Sequence, residues 1–504
     1  MARRRALRLP CGGSRRRIAP LTLLGLDIGT THVKACAYDE GGRLLASALR
    51  NTPTTWLPGG GAEYHAVSLE ETVFAAASEA IATAGPPRAI GVSSVGESGF
   101  PVDDGGAALA PAIAWFDGRS APQAARWRDR LAPRDRFART GLHPNPLFSA
   151  CKMEWTREND PEVWGRATGW LGIAEYAVFR MTGERGTDTS LAGRTMLYHL
   201  TNGAWDEEIC GFAGIPIDFL PPVYPSGSGP GGLSAEAAEK LNAREGVPVV
   251  VCGHDHICGS FGAGAAGPGE IVDSMGTAEA SLLILSHPPL GDAGYDLGLP
   301  AGSHVLPETY YLAATLPRSG GLVEQLFALL GRGEEDLARW TEEAADLAPG
   351  AGGACLPPAD EDPDEDALLL ASLGHGSKPG HLLRAVLEGL TLQMHSDLRR
   401  AVQVSGVEPS RITLLGGGAR NPLWAKLKAD ISDLPVRVVS DPECVARGAA
   451  LLAGVGAGVY LDTDSVPQPE YEGSIEPSGE HDEYARIYAE VYGPLREGRG
   501  RTCL

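Results

Sequence analysis

The chain has 504 residues, 43% of them apolar and 21% charged, which is enough to bury more than one sizeable core. Its net charge of −21 argues against a main function in binding nucleic acid or an anionic membrane surface. No apolar run approaches the ~18 residues that a membrane-spanning helix needs, and the nine cysteines form no C-x-x-C pair. We therefore expect a cytoplasmic globular protein with reduced thiols.

The first twenty residues differ from the rest of the chain. Residues 1–20 carry seven arginines and no acidic residue, and they lack the apolar stretch of a secretory signal. We predict a disordered basic tail or an over-extended start of translation. An arm that touches RNA or a membrane is the alternative.

The first half of the chain begins with a strand, a loop rich in Gly and Thr, and a second strand. Strands are predicted at 21–28, 33–38, 43–48 and 89–93, and helices at 68–84, 121–131 and over most of 151–180. Ser68 and Glu71 fit an S-x-x-E capping box for the helix 68–84. Since the loop after residue 28 leads to a strand, it is neither a P-loop nor a Rossmann turn.

The second half repeats this pattern. Strands are predicted at 246–252, 271–274, 412–415 and 436–439, helices at 382–404, 422–431, 445–457 and 481–492, a small-residue segment at 259–269 and a solvated acidic loop at 360–366. Glycine-rich turns follow strands three times. We interpret this as two α/β domains, at 21–260 and 261–465, followed by a helix and tail at 466–504.

The first candidate site is the sequence D-I-G-T-T with a lysine shortly after it. Gly29 allows close backbone approach to an anion, and Thr30 and Thr31 offer hydroxyl and N–H donors. Asp27 ends a strand and is suited to hold Mg²⁺, while Lys34 could reach a transferred phosphate. The alternative is an ordinary Gly-Thr hairpin with a surface lysine.

The second candidate site is Asp255, which follows an apolar strand and so should face a cleft. A carboxylate there can accept the proton of a substrate hydroxyl as a general base. The neighbouring Cys252, His254, His256 and Cys258 are also metal-ligand types, but no second Cys/His pair has zinc-finger spacing. A polar turn without function is the third reading.

Two further groups follow strand ends. Glycine turns at Gly276-Thr277 and at 416–421, which includes Gly417, Gly418 and Asn421, can cradle phosphate or approach an adenine ring. Glu97 and Asp117 could accept hydrogen bonds from hydroxyls, and Trp115 could stack on a sugar. The alternative places Trp115 in the core and pairs Asp117 with Arg119.

Nine short stretches in one order carry a resemblance to a known family. They are G-L-D-I-G-T-T-H-V-K-A at 25–35, A-I-G-V-S-S-V-G-E-S-G at 89–99, P-A-I-A-W-F-D-G-R at 111–119, S-A-C-K-M-E-W at 149–155, G-H-D-H at 253–256, S-M-G-T-A at 274–278, L-E-G-L at 387–390, G-G-G-A-R-N-P-L-W at 416–424 and A-R-G-A-A-L-L-A at 446–453. In this order they resemble the FGGY family of carbohydrate kinases, relatives of glycerol kinase and xylulokinase.

The resemblance implies a fold and a set of roles. The fold is the actin/hexokinase-like one, with two ribonuclease-H-like domains around a central cleft that binds MgATP and substrate. Asp255 matches the catalytic base, and Asp27 the residue that handles Mg²⁺ and phosphate. The remaining matched positions are Thr30, Thr31 and Lys34 near the γ-phosphate, Thr277, Gly320, Gly418 and Asn421 at the nucleotide, and Glu97 at a substrate hydroxyl.

The resemblance is incomplete around the substrate. Gly96 stands where the glycerol kinases carry an arginine, and His256 replaces the usual Gln or Asn after the base. We therefore expect an ATP-dependent kinase for a small sugar or polyol, a ketose such as xylulose first, with Mg²⁺ between Asp27 and Asp255. An actin-like ATPase and a non-catalytic sugar sensor are the alternatives. Neither nucleic acid nor membrane is expected as a partner, and a homodimer is left open.

Overall fold

The computed structural model describes residues 21–265, 267–356 and 377–496. Three predictions of the sequence analysis lie outside the described residues: the basic tail at 1–20, the acidic loop at 360–366 and the tail beyond residue 496. Among the described helices, none combines the length and apolar character that crossing a bilayer requires.

The first half of the chain alternates strands and helices. Its strands are β1 Thr22–Ile28, β2 His32–Asp39, β3 Leu44–Asn51, β4 Thr54–Trp56, β5 Ala62–Tyr64, β6 Ala89–Ser94, β7 Gly99–Val102, β8 Ala112–Ile113, β9 Gly169–Gly172, β10 Thr187–Asp188, β11 Tyr198–His199, β12 Ala204–Trp205, β13 Val223–Tyr224, β14 Gly231–Gly232 and β15 Pro248–His254. Its helices are α1 Ala66–Ala84, α2 Ala121–Arg130, α3 Pro133–Thr140, α4 Ser149–Asn159, α5 Pro161–Arg166, α6 Ile173–Thr182, α7 Thr189–Gly193, α8 Glu207–Ala213, α9 Ala235–Leu241 and α10 Asp255–Gly262.

The second half has fewer and longer elements. Its strands are β16 Glu270–Met275, β17 Glu279–Leu285, β18 Ala301–Ser303, β19 Tyr310–Leu316, β20 Arg411–Leu415, β21 Val436–Val439 and β22 Tyr471–Ile475. Its helices are α11 Asp292–Leu297, α12 Gly320–Leu329, α13 Glu334–Ala345, α14 Pro379–Ser405, α15 Pro422–Ser432, α16 Cys444–Gly456, α17 His481–Ile487 and α18 Gly493–Arg496, with a π-helical turn at Tyr488–Tyr492.

The first sheet has the strand order β14-β15-β6-β1-β2-β3. Every residue of β1 is buried, as expected for a central strand covered on both faces. β1 pairs antiparallel with β2 and parallel with β6, and β6 pairs parallel with β15. The carboxyl ends of β1, β6 and β15 therefore lie at one edge of the sheet, and Asp27, Ser93 and Gly253 stand at matching positions in the three strands.

The second sheet repeats this arrangement. Its order is β18-β19-β17-β16-β20-β21-β22, in which an antiparallel hairpin, β16 with β17, is extended by β19 on one side. On the other side, β20 and β21 run parallel to β16. Two ribonuclease-H-like halves of this kind make up the actin/hexokinase-like fold, in which ligands bind between the halves at the carboxyl ends of the parallel strands.

Helix α16 joins the two halves, because it belongs to the second half in sequence yet packs on the first sheet. Gly25 of β1 and Gly91 of β6 face it so closely that a Cβ at either position would collide with the carbonyl oxygen of Ala446 or Ala449. An apolar cluster at this contact combines side chains from β1, β2, α10, β19 and α16. We call this contact the glycine seam, defined by Gly25, Gly91 and α16.

One local prediction, the capping box at the start of the first helix, was wrong. Helix α1 begins at Ala66 after the N-cap His65, so that Ser68 lies inside the helix, where its carbonyl oxygen accepts a hydrogen bond from Thr72 Oγ1 at 2.7 Å. Packing of α1 against the first sheet extends the helix one turn beyond the predicted cap. The small-residue segment predicted at 259–269 begins inside α10, where Gly259 and Gly262 lie against Val445 and Cys444 of α16.

Candidate active site

The β1–β2 hairpin brings Asp27 and Lys34 side by side. The two residues are cross-strand partners, and Gly29 N–H closes the turn by donating to the His32 carbonyl oxygen at 2.9 Å. Thr31 is exposed at the tip, whereas Thr30 is half-buried and its Oγ1 accepts a hydrogen bond of 2.8 Å from the indole of Trp115. The hairpin therefore presents one carboxylate, one ammonium group and a threonine pair at the edge of the sheet.

Asp255 lies where β15 ends and α10 begins. Its Oδ1 accepts a hydrogen bond of 2.6 Å from the backbone N–H of His256, and His254 Nε2 lies 3.4 Å away. No hydrogen bond to Oδ2 is formed within the described part of the chain, and the side chain keeps 20% of its surface exposed. As the first residue of the helix, the carboxylate is also favoured by the positive end of the helix dipole.

A β-bulge at Gly253 sets the direction in which the chain enters Asp255. Gly253 has φ of 108°, and the pairing register of β15 with β6 shifts between Val251 and Gly253. A Cβ at Gly253 would lie 2.6 Å from Ser190 Oγ, so that glycine meets both the conformational and the steric requirement here.

The Asp27 and Asp255 carboxylates interact across the sheet edge. Burial, the charge of Asp255 and the charge of Glu443 raise the pKa of Asp27 to about 7, and only Lys34 opposes this shift. The two carboxylates have too little positive charge beside them to balance their own charge. A hard divalent cation such as Mg²⁺ would supply it, because Mg²⁺ binds to few protein oxygens and completes its coordination shell with water and phosphate oxygens. The donor set thus fits the expected metal.

Lys34 has a partner that the sequence analysis did not identify. Its Nζ lies 2.7 Å from Glu443 Oε2, and Glu443 is the residue before α16. Burial opposes the positive charge of Lys34, but the hydrogen bond and charge of Glu443 together with Asp27 raise its pKa. The predicted phosphate-binding lysine is therefore tied to the helix that forms the glycine seam.

His254, His256 and Glu97 lie on the other side of Asp255. The His254 and His256 rings are 5.6 Å apart, so they share one side of the helix start and do not point to opposite faces. Burial, together with the nearby Arg194 and His256, lowers the pKa of His254 to about 3, which keeps the imidazole uncharged. Glu97 is buried, and its carboxylate is bound by Arg194.

Three polar atoms around this pocket have no hydrogen-bond partner within the described residues. They are Tyr64 Oη, Ser98 Oγ and His254 Nδ1. Burial and the charge of Asp255 raise the pKa of the Tyr64 hydroxyl, which shows that Tyr64 lies near the carboxylate. Buried polar atoms normally have hydrogen-bond partners. A ligand with hydroxyl groups that bound here would give these three atoms the partners that they lack.

Asp117 does not contribute to this pocket. Its carboxylate accepts hydrogen bonds from Arg119 and from the Ala62 N–H, and it caps the turn that follows. The reading of Asp117 as a local ion pair with Arg119 is thus the one that the contacts support. Trp115 packs against the first core and reaches the threonine pair through Thr30, so it lies at the hairpin.

The glycine turns of the second half come together at the end of the second sheet. Gly276 and Thr277 form the exposed turn between β16 and β17, and Gly320 N–H donates to the Gly276 carbonyl oxygen at 3.1 Å. Gly418 lies against Met275 of the same turn, and Gly417 precedes it on the surface. Asn421 caps α15, because its Oδ1 accepts from two backbone N–H groups and its Nδ2 donates to Thr341 Oγ1.

A buried ion-pair network supports these turns. Lys428 of α15 lies 2.7 Å from Asp273 Oδ2 and also contacts Glu279, whose other carboxylate oxygen accepts a hydrogen bond of 2.5 Å from Ser319 Oγ. Ser319 directly precedes Gly320, and its N–H donates to the Thr277 carbonyl oxygen at 2.9 Å. Charges on β16, β17 and α15 are thereby joined to the start of α12.

The alternative of a metal cluster at Cys252 to Cys258 gains no support. No group of three or more His, Cys, Asp or Glu side chains in the described ranges is arranged to hold a metal ion. Cys252 Sγ and Cys258 Sγ instead lie 3.3 Å and 3.4 Å from backbone carbonyl oxygens of α16. Both thiols belong to the packing of the glycine seam.

Sequence reasoning missed Arg194, Tyr64, Glu443 and Tyr311. Arg194 directly follows α7, and Tyr311, which lies beside it, is in β19; neither residue belongs to a motif that the sequence analysis singled out. Glu443 stands three residues before the matched stretch at 446–453 and could have been found by asking what faces Lys34. Tyr64 stands in a three-residue strand whose pattern is too short to assign.

Family models and related proteins match most of the chain. The model of the FGGY family N-terminal domain matches residues 22–262, and that of the C-terminal domain matches residues 272–457. The L-fuculokinase of Escherichia coli (strain K12) is 30% identical over 465 residues, which cover 87% of this chain and 93% of the relative. A glycerol kinase of Methylibium petroleiphilum is 32% identical over 473 residues, 88% of this chain and 92% of the relative.

A solved structure extends the agreement to the fold. The crystal structure of xylulose kinase from Rhodospirillum rubrum superposes with a TM-score of 0.87 at 27% identity, covering 95% of this chain and all of that one. The fold and the family models together define the class of protein, a phosphotransferase that acts on sugar alcohol groups. The chain belongs to the FGGY family of carbohydrate kinases, which use ATP as the phosphate donor.

Proposed function

We propose that the chain transfers the γ-phosphate of MgATP to a hydroxyl of a small uncharged ketose or polyol, with xylulose as the first candidate. The observation that carries the proposal is the interaction of Asp27 with Asp255 beside a pocket of orphan polar atoms. The two relatives named above act, by their names, on a ketose and on a polyol.

The charge balance of the pocket supports an uncharged acceptor. Glu97 and Arg194 neutralise each other, His254 is uncharged, and Asp255 adds a negative charge. An aldonate carboxylate would therefore find no unpaired positive charge on Arg194 or His254, whereas hydroxyl groups can bond to Tyr64 Oη, Ser98 Oγ and His254 Nδ1.

Asp255 is proposed as the general base. Its Oδ1 is held by the His256 N–H, which leaves Oδ2 to accept the proton of the attacking hydroxyl. The oxygen of the substrate hydroxyl then forms a bond to the γ-phosphorus. The bond between the γ-phosphorus and the oxygen that bridges it to the β-phosphate breaks, and ADP leaves. Little covalent work falls to the protein, because phosphoryl transfer proceeds through a loose transition state.

The remaining predicted residues are assigned to positioning and charge. Asp27 and Asp255 would hold Mg²⁺, which would offset the negative charge of the phosphates. Lys34, Gly29, Thr30 and Thr31 line the phosphate side. Gly276, Thr277, Gly320, Gly417, Gly418 and Asn421 are proposed to form the nucleotide side. We accordingly propose 21–260 as the substrate and phosphate domain and 261–465 as the nucleotide domain.

The test is ADP release measured with a panel of ketoses, polyols and aldonates. We expect turnover with at least one ketose or polyol, and Asp255→Asn should lower kcat for it by about 100-fold or more while ATP still binds. The matched control is Asp292→Asn, which removes a surface carboxylate paired with Arg134 and should leave kcat unchanged.

Three results would contradict the proposal. ATP hydrolysis that is indifferent to every sugar would favour an actin-like ATPase. Calorimetric binding of a sugar without turnover would favour a sugar sensor. An Asp255→Asn variant with undiminished kcat would remove Asp255 from the role of base.

A further inference from the structure

The loop that carries Glu97 holds a strained backbone. Glu97 has φ of 62°, a left-handed conformation that is strained for a residue with a side chain and persists only where its surroundings impose it. The segment 95–98, which we call the Glu97 loop, connects β6 to β7. Ser149 Oγ donates to the Glu97 carbonyl oxygen at 3.0 Å, and Ser98 N–H donates to the Gly96 carbonyl oxygen at 2.7 Å.

Arg194 forms an ion pair with the side chain of Glu97. Its Nε and Nη2 lie 2.6 Å and 2.5 Å from Glu97 Oε1. The guanidinium also lies 5.1 Å from the centre of the Phe148 ring. No described residue donates to Glu97 Oε2, so this oxygen is left for a substrate hydroxyl.

Gly96 makes room for this arrangement. A Cβ at Gly96 would lie 2.7 Å from His254 Cδ2 and 3.5 Å from Arg194 Cγ. The space that a larger residue at position 96 would fill is thus taken by His254 and Arg194, which both come from elsewhere in the chain. The pocket wall at this point depends on Arg194 being held in place.

Tyr311 holds Arg194 from the opposite half of the molecule. The tyrosine is 2% exposed, and its hydroxyl lies close enough to Arg194 for the guanidinium to interact with it. Tyr311 lies on β19 of the second sheet, next to Gly302 of β18, where a Cβ would collide with the Tyr311 hydroxyl. The contacts therefore run from the Glu97 loop through Arg194 to the second sheet.

We propose that Arg194 is a positioning residue that fixes the strained Glu97 loop for sugar binding and ties it, through Tyr311, to the second half of the molecule. The inference rests on the proposed role of Glu97 as a substrate ligand. Because Tyr311 acts through Arg194, its hydroxyl contributes to sugar affinity and not to nucleotide affinity.

The molecule contains a matched control for this trio. Arg384 Nε donates to Glu388 Oε1 at 2.7 Å, Arg384 Nη2 donates to Tyr484 Oη at 2.9 Å, and Tyr484 Oη donates to Glu388 Oε1 at 3.0 Å. This Glu–Arg–Tyr trio is also buried, but it joins α14 to α17 and contacts none of the candidate site residues. Tyr484→Phe therefore removes the same hydroxyl from the same chemistry without touching the Glu97 loop.

The first measurement is steady-state kinetics of Tyr311→Phe, Arg194→Lys and Tyr484→Phe. We expect the sugar KM to rise roughly tenfold in Tyr311→Phe, the usual size of a lost hydrogen bond to a charged group, with the ATP KM within about twofold of wild type. Arg194→Lys keeps the positive charge but loses the contact of two guanidinium nitrogens with Glu97, so it should raise the sugar KM at least as much. An unchanged sugar KM in both variants, or an equal rise in Tyr484→Phe, would overturn the inference.

The second measurement is independent of turnover. Amide hydrogen exchange of residues 95–98 in the ligand-free protein should speed up in Tyr311→Phe and Arg194→Lys and stay at the wild-type rate in Tyr484→Phe. A wild-type protein that phosphorylates no sugar would refute the proposed function, and the exchange experiment would still decide the inference. Unchanged exchange in both loop variants would refute it.

Discussion

Glu175 is a buried carboxylate that lines a cavity together with Glu97 and Ser98, and its titration should be visible in the stability of the protein. Thr187 Oγ1 donates to its Oε1 at 2.6 Å, whereas Oε2 has no partner within the described residues. Burial is the largest effect and raises the pKa of Glu175 from 4.5 to about 7, despite the opposing hydrogen bond from Thr187. The folded protein therefore keeps a proton there that the unfolded chain releases.

This difference gives stability a definite dependence on pH. Between the unfolded pKa of 4.5 and the folded pKa of about 7, the folded state binds more protons, so the free energy of unfolding falls as pH rises and levels off above the folded value. The glutamine of Glu175→Gln cannot titrate. The free energy of unfolding of this variant, relative to that of wild type, should therefore rise by up to about 3 kcal/mol between pH 4.5 and pH 8. Urea denaturation of both proteins at the two pH values measures this gain. The exposed Glu162→Gln serves as control, and a gain no larger than that of the control would contradict the assignment.

Individual residues were predictable where local pattern and chemistry coincide. Asp27 and Asp255 each end an apolar strand beside a glycine, which is a local signal for a carboxylate at a sheet edge. Arg194 and Tyr311 were not predictable, because their proposed roles depend on contacts between distant parts of the chain, such as the contact of Arg194 with Glu97, 97 positions earlier. Asp117 carried a plausible signal, but the hydrogen bonds from Arg119 and Ala62 use its carboxylate.

At the scale of elements, helix α15 and the hairpin β16–β17 are coupled by the buried Lys428 network. Lys428→Met would leave Asp273 and Glu279 facing each other without a counter-charge, at a cost of about 3–5 kcal/mol. Because Glu279 holds Ser319 beside Thr277 and Gly320, we also expect the ATP KM to rise more than the sugar KM.

The control for this prediction is Lys426→Met on the same helix. Lys426 is 38% exposed and pairs with the buried Asp430, which also accepts hydrogen bonds from the N–H and Oγ of Ser478. Removing Lys426 therefore leaves that carboxylate with partners and should cost less stability than removing Lys428. Thermal unfolding and the two KM values of both variants provide the measurement. Equal losses of stability in the two variants would show that the Lys428 network is not special.

Elements were predicted best where hydrophobic period and glycine turns agree. The strands around Asp27, Ser93 and Asp273 and the helices α14 and α16 were found within a few residues of their bounds. Boundaries failed where tertiary packing decides them. Helix α1 starts ahead of its predicted cap, and α10 forms from small residues that have no helical pattern of their own but fit against α16.

At the scale of the whole molecule, the glycine seam should be the most sensitive contact to an added methyl group. In Gly91→Ala the new Cβ would collide with the Ala449 carbonyl oxygen and approach Cys252 Sγ to 2.8 Å, so that α16 must move away from the sheet. We expect a loss of about 1–3 kcal/mol or more, together with reduced activity, because Glu443 at the start of α16 holds Lys34.

Gly165→Ala provides the comparison, since a Cβ there meets nothing within 4 Å. Melting temperature and sugar phosphorylation of both variants test the prediction. A Gly91→Ala protein as stable and active as Gly165→Ala would mean that the seam is loose enough to accept the methyl group.

The duplication of the two halves was predictable from the repeated strand–glycine pattern. The packing of α16 on the first sheet was not predictable, because no local pattern encodes a contact between distant parts of the chain.

The glycine seam also has a consequence for biosynthesis. Tyr38 on β2 donates a hydrogen bond to the carbonyl oxygen of Glu443, 405 positions later in the chain. At ribosomal speeds of about 5–20 residues per second, the first strands wait roughly 20–80 s before the helix that covers them is translated. During that interval the nascent sheet keeps an apolar face open to the solvent, which makes the growing polypeptide a natural client for ribosome-associated chaperones.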